Sequence, residues 1–268
     1  MRLGLLADVH ANLPALQVAV QRLTAEGVDA ILVAGDLVGY GASPNECVEL
    51  LAETGAICVA GNHDLFMIHR LPATRFSGIA LRAATVTRPL LSADTWSYLE
   101  ALPTMRRVDT LVMAHGSLDD PEEYVEDRRR GVEVLREMTS REPGARTLVL
   151  GHTHHQRYIR AMTAGSTTRT VQLVNPGSVG QSRARERRPR ARLAILDTEG
   201  GRPRFLRVHY DVESAHRRLV ELGLDATSLH SIPELSYRVG HRLPAPVRTR
   251  VKKLLQRSVG STEPDRSV

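Results

Sequence analysis

The chain has 268 residues, 42% of them hydrophobic and 25% charged, which reads as an ordinary soluble globular protein with one large core or two small ones. Aromatic residues make up only 4%, so Val, Leu, Ile and Ala must build that core, and the net charge of +6 draws attention to anionic partners. The two cysteines, Cys47 and Cys58, sit in apolar patterns without zinc-knuckle spacing and are expected to be buried free thiols of a reducing compartment.

The N-terminal apolar run stops at Asp8. It is too short for a signal peptide or a membrane span, so a cytoplasmic protein with no membrane partner is expected. Leu3 to Ala7 reads as a buried strand. Asn12 then caps a helix with Pro14 in its first turn and Leu16, Val20 and Leu23 on one face. Ala30 to Ala34 is a second buried strand. Ser43-Pro44-Asn45-Glu46 has the form of a capping box opening a helix that Gly55 can end, and Ile57 to Ala60 is a third strand. Alternating strands and helices with short connections imply a parallel sheet, whose ligand sites gather beyond the carboxyl ends of its strands.

From Phe76 to Leu102 the chain reads as helical, with Ile79, Leu81, Ala83, Leu90, Leu91 and Leu99 available for packing. Strands follow at Thr110 to Ala114 and Thr147 to Leu150, with a helix near Val132 to Met138 between them. Beyond these come strands at Arg157 to Arg160, Val171 to Val174, Leu193 to Leu196 and Phe205 to Tyr210. Val212 to Leu222 is helical. No repeat or linker divides the chain sharply, and the expected organisation is a main domain over 1–212 followed by a helical extension and basic tail over 213–268.

Basic residues cluster at Arg183, Arg185, Arg187, Arg188, Arg190 and Arg192, and again from Arg248 to Arg266. Such patches attract phosphates or nucleic acid, which leaves nucleic acid open as a partner. No aromatic residues are interleaved to stack single strands, and the plainer expectation is a solvated loop and a disordered tail.

Metal-binding residue types recur directly after the predicted strands: Asp8 and His10, then Asp36, then Asn62, His63 and Asp64, then His115, then His152 and His154. One Asp after a strand is usually a turn or cap residue. The whole series points instead to one rim of the sheet carrying imidazole, carboxylate and amide donors. This donor set lacks thiolates and suits first-row divalent ions. It is too large for one ion, and a carboxylate can bridge two.

The series Asp8-x-His10, Gly35-Asp36, Gly61-Asn62-His63-Asp64, His115 and Gly151-His152-x-His154 resembles the calcineurin-like metallophosphoesterases, in the family's order, over roughly residues 1–212. The resemblance implies an α/β (α+β) four-layer αββα sandwich of two mixed β-sheets flanked by helices. It implies two divalent metal ions, with Mn2+ first and Fe, Ni, Co or Zn as alternatives. Asp8, His10, Asp36 and His154 would hold one ion, and Asp36, Asn62, His115 and His152 the other. His63 would protonate the leaving oxygen, with Asp64 orienting its ring. The implied reaction is in-line attack on phosphorus by a hydroxide bridging the two ions, without a phospho-enzyme.

Asp8-Val-His-Ala-Asn-Leu-Pro and Asn175-Pro-Gly-Ser-Val-Gly look like the small bacterial branch, which favours phosphodiesters, with a phosphomonoesterase acting on a nucleotide or other small phosphometabolite as the alternative. The stretch Gly35-Asp-Leu-Val-Gly-Tyr-Gly lacks the arginine of protein serine/threonine phosphatases, and Asp64 replaces their glutamate. The arginine cluster after Asn175-Pro-Gly offers contacts to an extra or terminal phosphate, and Tyr40 is placed to line the pocket or pack beneath it. A non-catalytic scaffold of the same fold is disfavoured because every expected ligand is present. The expected partner is a small phosphate ester, with self-association left open.

Overall fold

The computed structural model describes residues 1–229 apart from 77, 163–168, 184, 185, 187 and 200. The chain builds two mixed five-stranded sheets, stacked face to face with helices outside. The first sheet contains β1 (Arg2–Leu6), β2 (Ala30–Val33), β3 (Ile57–Cys58), β9 (Arg190–Asp197) and β10 (Arg204–His209), in the order β10-β9-β1-β2-β3. The second contains β4 (Met105–Val108), β5 (Leu111–Ala114), β6 (Thr147–Val149), β7 (Arg157–Met162) and β8 (Thr170–Asn175), in the order β4-β5-β6-β8-β7. β1, β2 and β3 are mutually parallel, as are β5, β6 and β8.

Alternation along the strands explains the layering. Leu3 and Leu5 face the other sheet and join Leu32, Leu111, Met113, Val149, Val174 and Leu196 in the central core. Leu6 faces outward onto the helices α1 (Leu13–Ala25) and α2 (Pro44–Glu53), with Leu16, Leu23, Cys47 and Leu51. Behind the second sheet, Val134, Leu135 and Met138 of α6 (Arg128–Arg141) cover Val112, Leu148, Ile159 and Leu173. Cys47 and Cys58 are both buried free thiols. No helix among the described residues is long and apolar enough to cross a membrane.

Local signals in the sequence are realised in some places and overridden in others. Asn12 caps α1 by accepting from the Ala15 amide at 3.3 Å. Ser43 precedes α2, but the capping box does not form: the Ser43 amide donates to the Ala11 carbonyl, and Glu46 lies by Arg218. The expected single helical stretch divides into α4 (Gly78–Thr87) and α5 (Ala93–Ala101), because Pro89 lacks the amide needed to continue the ladder. Ile79 and Leu90 are left exposed as a result. Strand β4 went unanticipated; its central Arg106 and Arg107 mark an edge strand with charge on it.

The short α3 (Asn62–Met67) starts directly after β3. Past β10, α7 (Val212–Glu221) buries Ala215 and Leu219 against Ala42, Ala83, Leu224 and Leu229. The basic tail, Arg185 and Arg187 lie outside the described residues.

Candidate metal centre

The carboxyl ends of β1, β2, β3, β5 and β6 converge where the two sheets meet, and each delivers donors expected from the sequence. Three groups of donor atoms form: Asp8 with His10 and His154, Asp36 with His115 and His152, and His10 with Asp36 and His63. Within each group the ligand atoms lie within 4.8 Å of one another, and every member is buried. Asp36 stands between the groups, its Oδ2 3.1 Å from His115 Nε2 and 3.7 Å from His10 Nε2. His10 Nε2 and His154 Nε2 are 3.2 Å apart.

Backbone geometry was sacrificed to achieve this convergence. Asp8, His10, Asp36, His152 and His154 all have φ between 50° and 64°, in the left-handed region that side chains other than glycine rarely adopt. Each such residue stores strain that the surrounding hydrogen bonds must hold in place, a concentration typical of functional loops. Gly61 is needed for a different reason: a Cβ there would lie 2.1 Å from Asp36 Oδ1.

The rings are oriented through their second nitrogens. Nδ1 of His10, His115 and His154 meets the carbonyls of Val38, Ala34 and Gln181 at 3.3, 2.6 and 2.9 Å. His152 is reversed, with Nε2 3.0 Å from the Glu122 carbonyl. Anchoring one nitrogen selects the tautomer and turns the other nitrogen into the site. Asn175 supports the same loop by donating to the Gly151 carbonyl and Thr153 Oγ1.

Several polar atoms here are buried without a hydrogen-bond partner: Asp8 Oδ2, Asn62 Oδ1 and His63 Nδ1. An orphaned buried polar atom costs about 1–3 kcal/mol, so such a concentration is unfavourable unless something binds them. Divalent cations fit this set of carboxylate, amide and imidazole donors.

The electrostatics agree with that fit. Burial raises Asp8 to about 7, with His115 opposing and the charge of Asp36 adding. Burial also acts to raise Asp36, but the charges of His115, His63 and His10 outweigh it and hold the carboxyl well below its usual range. His115 moves the other way: burial lowers it, yet Asp36 and Asp8 lift it to about 9. Burial holds His10, His152 and His154 well below the ordinary histidine value.

His63 lies beside this cluster, its amide donating to Asp36 Oδ1 at 2.8 Å. Burial pushes its ring down to about 4 against the charge of Asp36. Asp64 is expected to orient this ring, and no hydrogen bond between the two is found among the described residues. Asp64 Oδ1 and Oδ2 instead accept from the amides of Val38 and Gly61 at 3.0 and 2.8 Å, tying the loop after β2 to the start of α3. Aromatic neighbours hold the His63 ring, with Tyr40 at 4.5 Å and Phe76 at 5.1 Å.

The model for the calcineurin-like phosphoesterase superfamily domain matches residues 1–201. This chain belongs to that superfamily. It is 33% identical to a metallophosphoesterase from Sphaerobacter thermophilus, whose structure superposes with a TM-score of 0.67 over 86% of this chain and 98% of that one. An uncharacterized protein of Methanocaldococcus jannaschii is 26% identical over 82% of this chain and 92% of its own. A hypothetical protein from Pyrococcus horikoshii OT3, at 21% identity, shares the fold with a TM-score of 0.71 over 85% of this chain and 96% of that one. The superfamily is metal-dependent and acts on phosphate esters.

The arginine cluster is not one solvated loop. Arg192 is buried, donating to Glu186 and Ser182 at 2.7 and 3.0 Å, and only Arg188 among the described members is exposed. Arg183 lies over the ring of Tyr124, its Cζ 5.8 Å from the centroid. Tyr124 was not singled out in the sequence; nothing in its acidic surroundings marks it, and only folding brings its ring to 4.0 Å from His152.

Proposed function

We propose that this chain is a phosphoesterase that uses two divalent ions, manganese first among them, and favours phosphodiesters. The observation that supports it most is the three adjoining groups of buried carboxylate and imidazole donors, two of them sharing Asp36, with Asp8 Oδ2 and Asn62 Oδ1 buried and unpartnered. Asp8, His10, Asp36 and His154 would hold one ion, and Asp36, Asn62, His115 and His152 the other. Ions bound there supply Lewis acidity toward phosphoryl oxygens and make water acidic enough to ionise near neutral pH.

The chain's own residues supply orientation and proton control. Val38, Ala34, Glu122 and Gln181 carbonyls fix the imidazole ligands, so little reorganisation accompanies substrate binding. His63, whose amide donates to Asp36 Oδ1, would give a proton to the leaving oxygen. Its low proton affinity in the protein by itself rises when an anionic ester lies next to it.

The diester preference rests on the likeness of Asp8-Val-His-Ala-Asn-Leu-Pro and Asn175-Pro-Gly to the small bacterial branch. A phosphomonoesterase is the second reading, favoured by the guanidinium of Arg183 at the rim. The buried free thiols fit a reducing cytoplasm.

The test is hydrolysis of bis(p-nitrophenyl) phosphate and p-nitrophenyl phosphate by metal-stripped and manganese-reconstituted protein, beside Asp36→Asn. Metal-restored activity, higher on the diester and lost in the variant together with bound manganese, is the expected result. Monoester preference would select the second reading. Absence of metal-dependent hydrolysis of either ester would defeat both.

A further inference from the structure

The metal centre explains the donor cluster but leaves Arg183 without a role. Among the described residues it is the arginine whose charge bears on Asp8, His10, His63, His152 and His154 together. Its Cζ lies 5.8 Å from the centroid of the Tyr124 ring. Tyr124 packs on His152, and Tyr40 packs on His10 and His63. Arg183 is half-buried over Tyr124.

The loop that carries Arg183 is stiffly mounted. Gly180 and Ser178 both donate to the Asp8 carbonyl, at 3.0 and 2.8 Å, and Asn12 donates to the Gly180 carbonyl at 2.8 Å. Gln181 accepts from the His154 ring through its carbonyl and donates to the Ser228 carbonyl through Nε2. The Ser182 amide donates to the Leu229 carbonyl, and Ser228 Oγ reaches the Tyr40 carbonyl. The segment after β10, beyond the matched family domain, thus braces both the Arg183 loop and the Tyr40 loop.

Arg192, the buried arginine of the same cluster, is paired with the Glu186 carboxylate. Arg183 lies instead over the Tyr124 ring, no ion pair to a carboxylate is found for it among the described residues, and it carries a fork of five N–H donors. A guanidinium fork matches two oxygens of one phosphoryl group. A monoester phosphoryl group has three non-bridging oxygens and a diester only two, so after metal coordination the monoester has an oxygen to offer that the diester lacks.

We propose that Arg183 is a substrate-binding residue that grips the extra non-bridging oxygen of a terminal phosphate, and so sets how far the site accepts monoesters beside diesters. This inference rests on the phosphoesterase reading above. The experiment measures inorganic phosphate binding by titration calorimetry on the manganese-loaded full chain, wild type against R183A and R183K, with manganese content measured alongside. The kcat/KM ratio for p-nitrophenyl phosphate over bis(p-nitrophenyl) phosphate is recorded on the same samples.

Loss of a hydrogen bond to a charged group predicts phosphate affinity about ten- to hundredfold weaker in R183A. The monoester-to-diester ratio is expected to fall about tenfold or more, and R183K, which keeps charge but not the fork, to lie between R183A and wild type. Phosphate affinity unchanged in R183A, no phosphate binding by the wild type, or equal proportional loss on both esters would overturn the proposal. If R183A fails to fold, R183K binding phosphate as tightly as the wild type overturns it alone. A wild type that binds phosphate through Arg183 yet hydrolyses neither ester would instead indict the phosphoesterase reading and leave the anion site standing.

Discussion

Replacing Asp64 by Asn separates two roles that look alike in the sequence. In the structure the carboxyl is fully buried and accepts one backbone amide on each oxygen, Val38 on Oδ1 and Gly61 on Oδ2. Asn keeps the shape but presents an NH2 group to one of those amides. The lost hydrogen bond costs about 1 kcal/mol, and opposing a buried donor with another donor adds about 1–3 kcal/mol. The sum is about 2–4 kcal/mol, which for a domain of this size lowers Tm by about 4–16 °C. Differential scanning calorimetry of metal-free protein reads the shift without involving catalysis. Asp64 clamps the loop bearing Asp36 to the turn bearing Asn62 and His63, so manganese affinity should weaken along with stability. A variant with unchanged Tm and metal affinity but a large loss of turnover would refute this reasoning. It would show that the carboxylate acts on the His63 ring after all.

Other perturbations test separate parts of the site. His63→Ala should retain both manganese ions by elemental analysis yet lose about 10²–10⁴-fold in turnover, most severely on esters with poor leaving groups; loss of an ion would instead place His63 among the ligands, where its approach to His10 and Asp36 allows it. Manganese affinity should rise from pH 6 to 9, because Asp8, at about 7, and His115, at about 9, hold protons below those values and must release them to ligate. Each proton released is worth up to about tenfold in affinity per pH unit, and calorimetry in buffers of different ionisation enthalpy counts them; a flat profile would contradict the assignment. Gly180→Ala would put a Cβ 1.8 Å from the Val9 carbonyl oxygen, so unfolding by urea should show a loss of about 1–3 kcal/mol or more. Unchanged stability would mean that the Arg183 loop is not held as described.

The sequence by itself carried the elements and the donor list, because both are written locally. Buried strands such as Leu3 to Leu6 are short apolar runs, Asn12 caps the helix it precedes, and donors follow at once on strand ends. Their order along the chain was enough to point to the superfamily, since a parallel sheet places such residues on one rim whatever the loops contain. Tertiary structure decided which partner each polar atom has. Asp64 adjoins His63 in sequence yet bonds to Val38, because the loop after β2 offers it an amide that the ring does not replace. Proximity along the chain predicts helix caps well and side-chain pairing poorly, since pairing is settled by backbone groups arriving from distant strands. The same reason conceals the rim. Tyr124 and Arg183 come from separate connections; no local pattern marks Tyr124, and the arginine cluster marks a stretch without telling which member reaches the site. Only the stacking of the two sheets, which brings the ends of β1, β2, β5 and β6 together, gives them a common neighbour in the donor cluster.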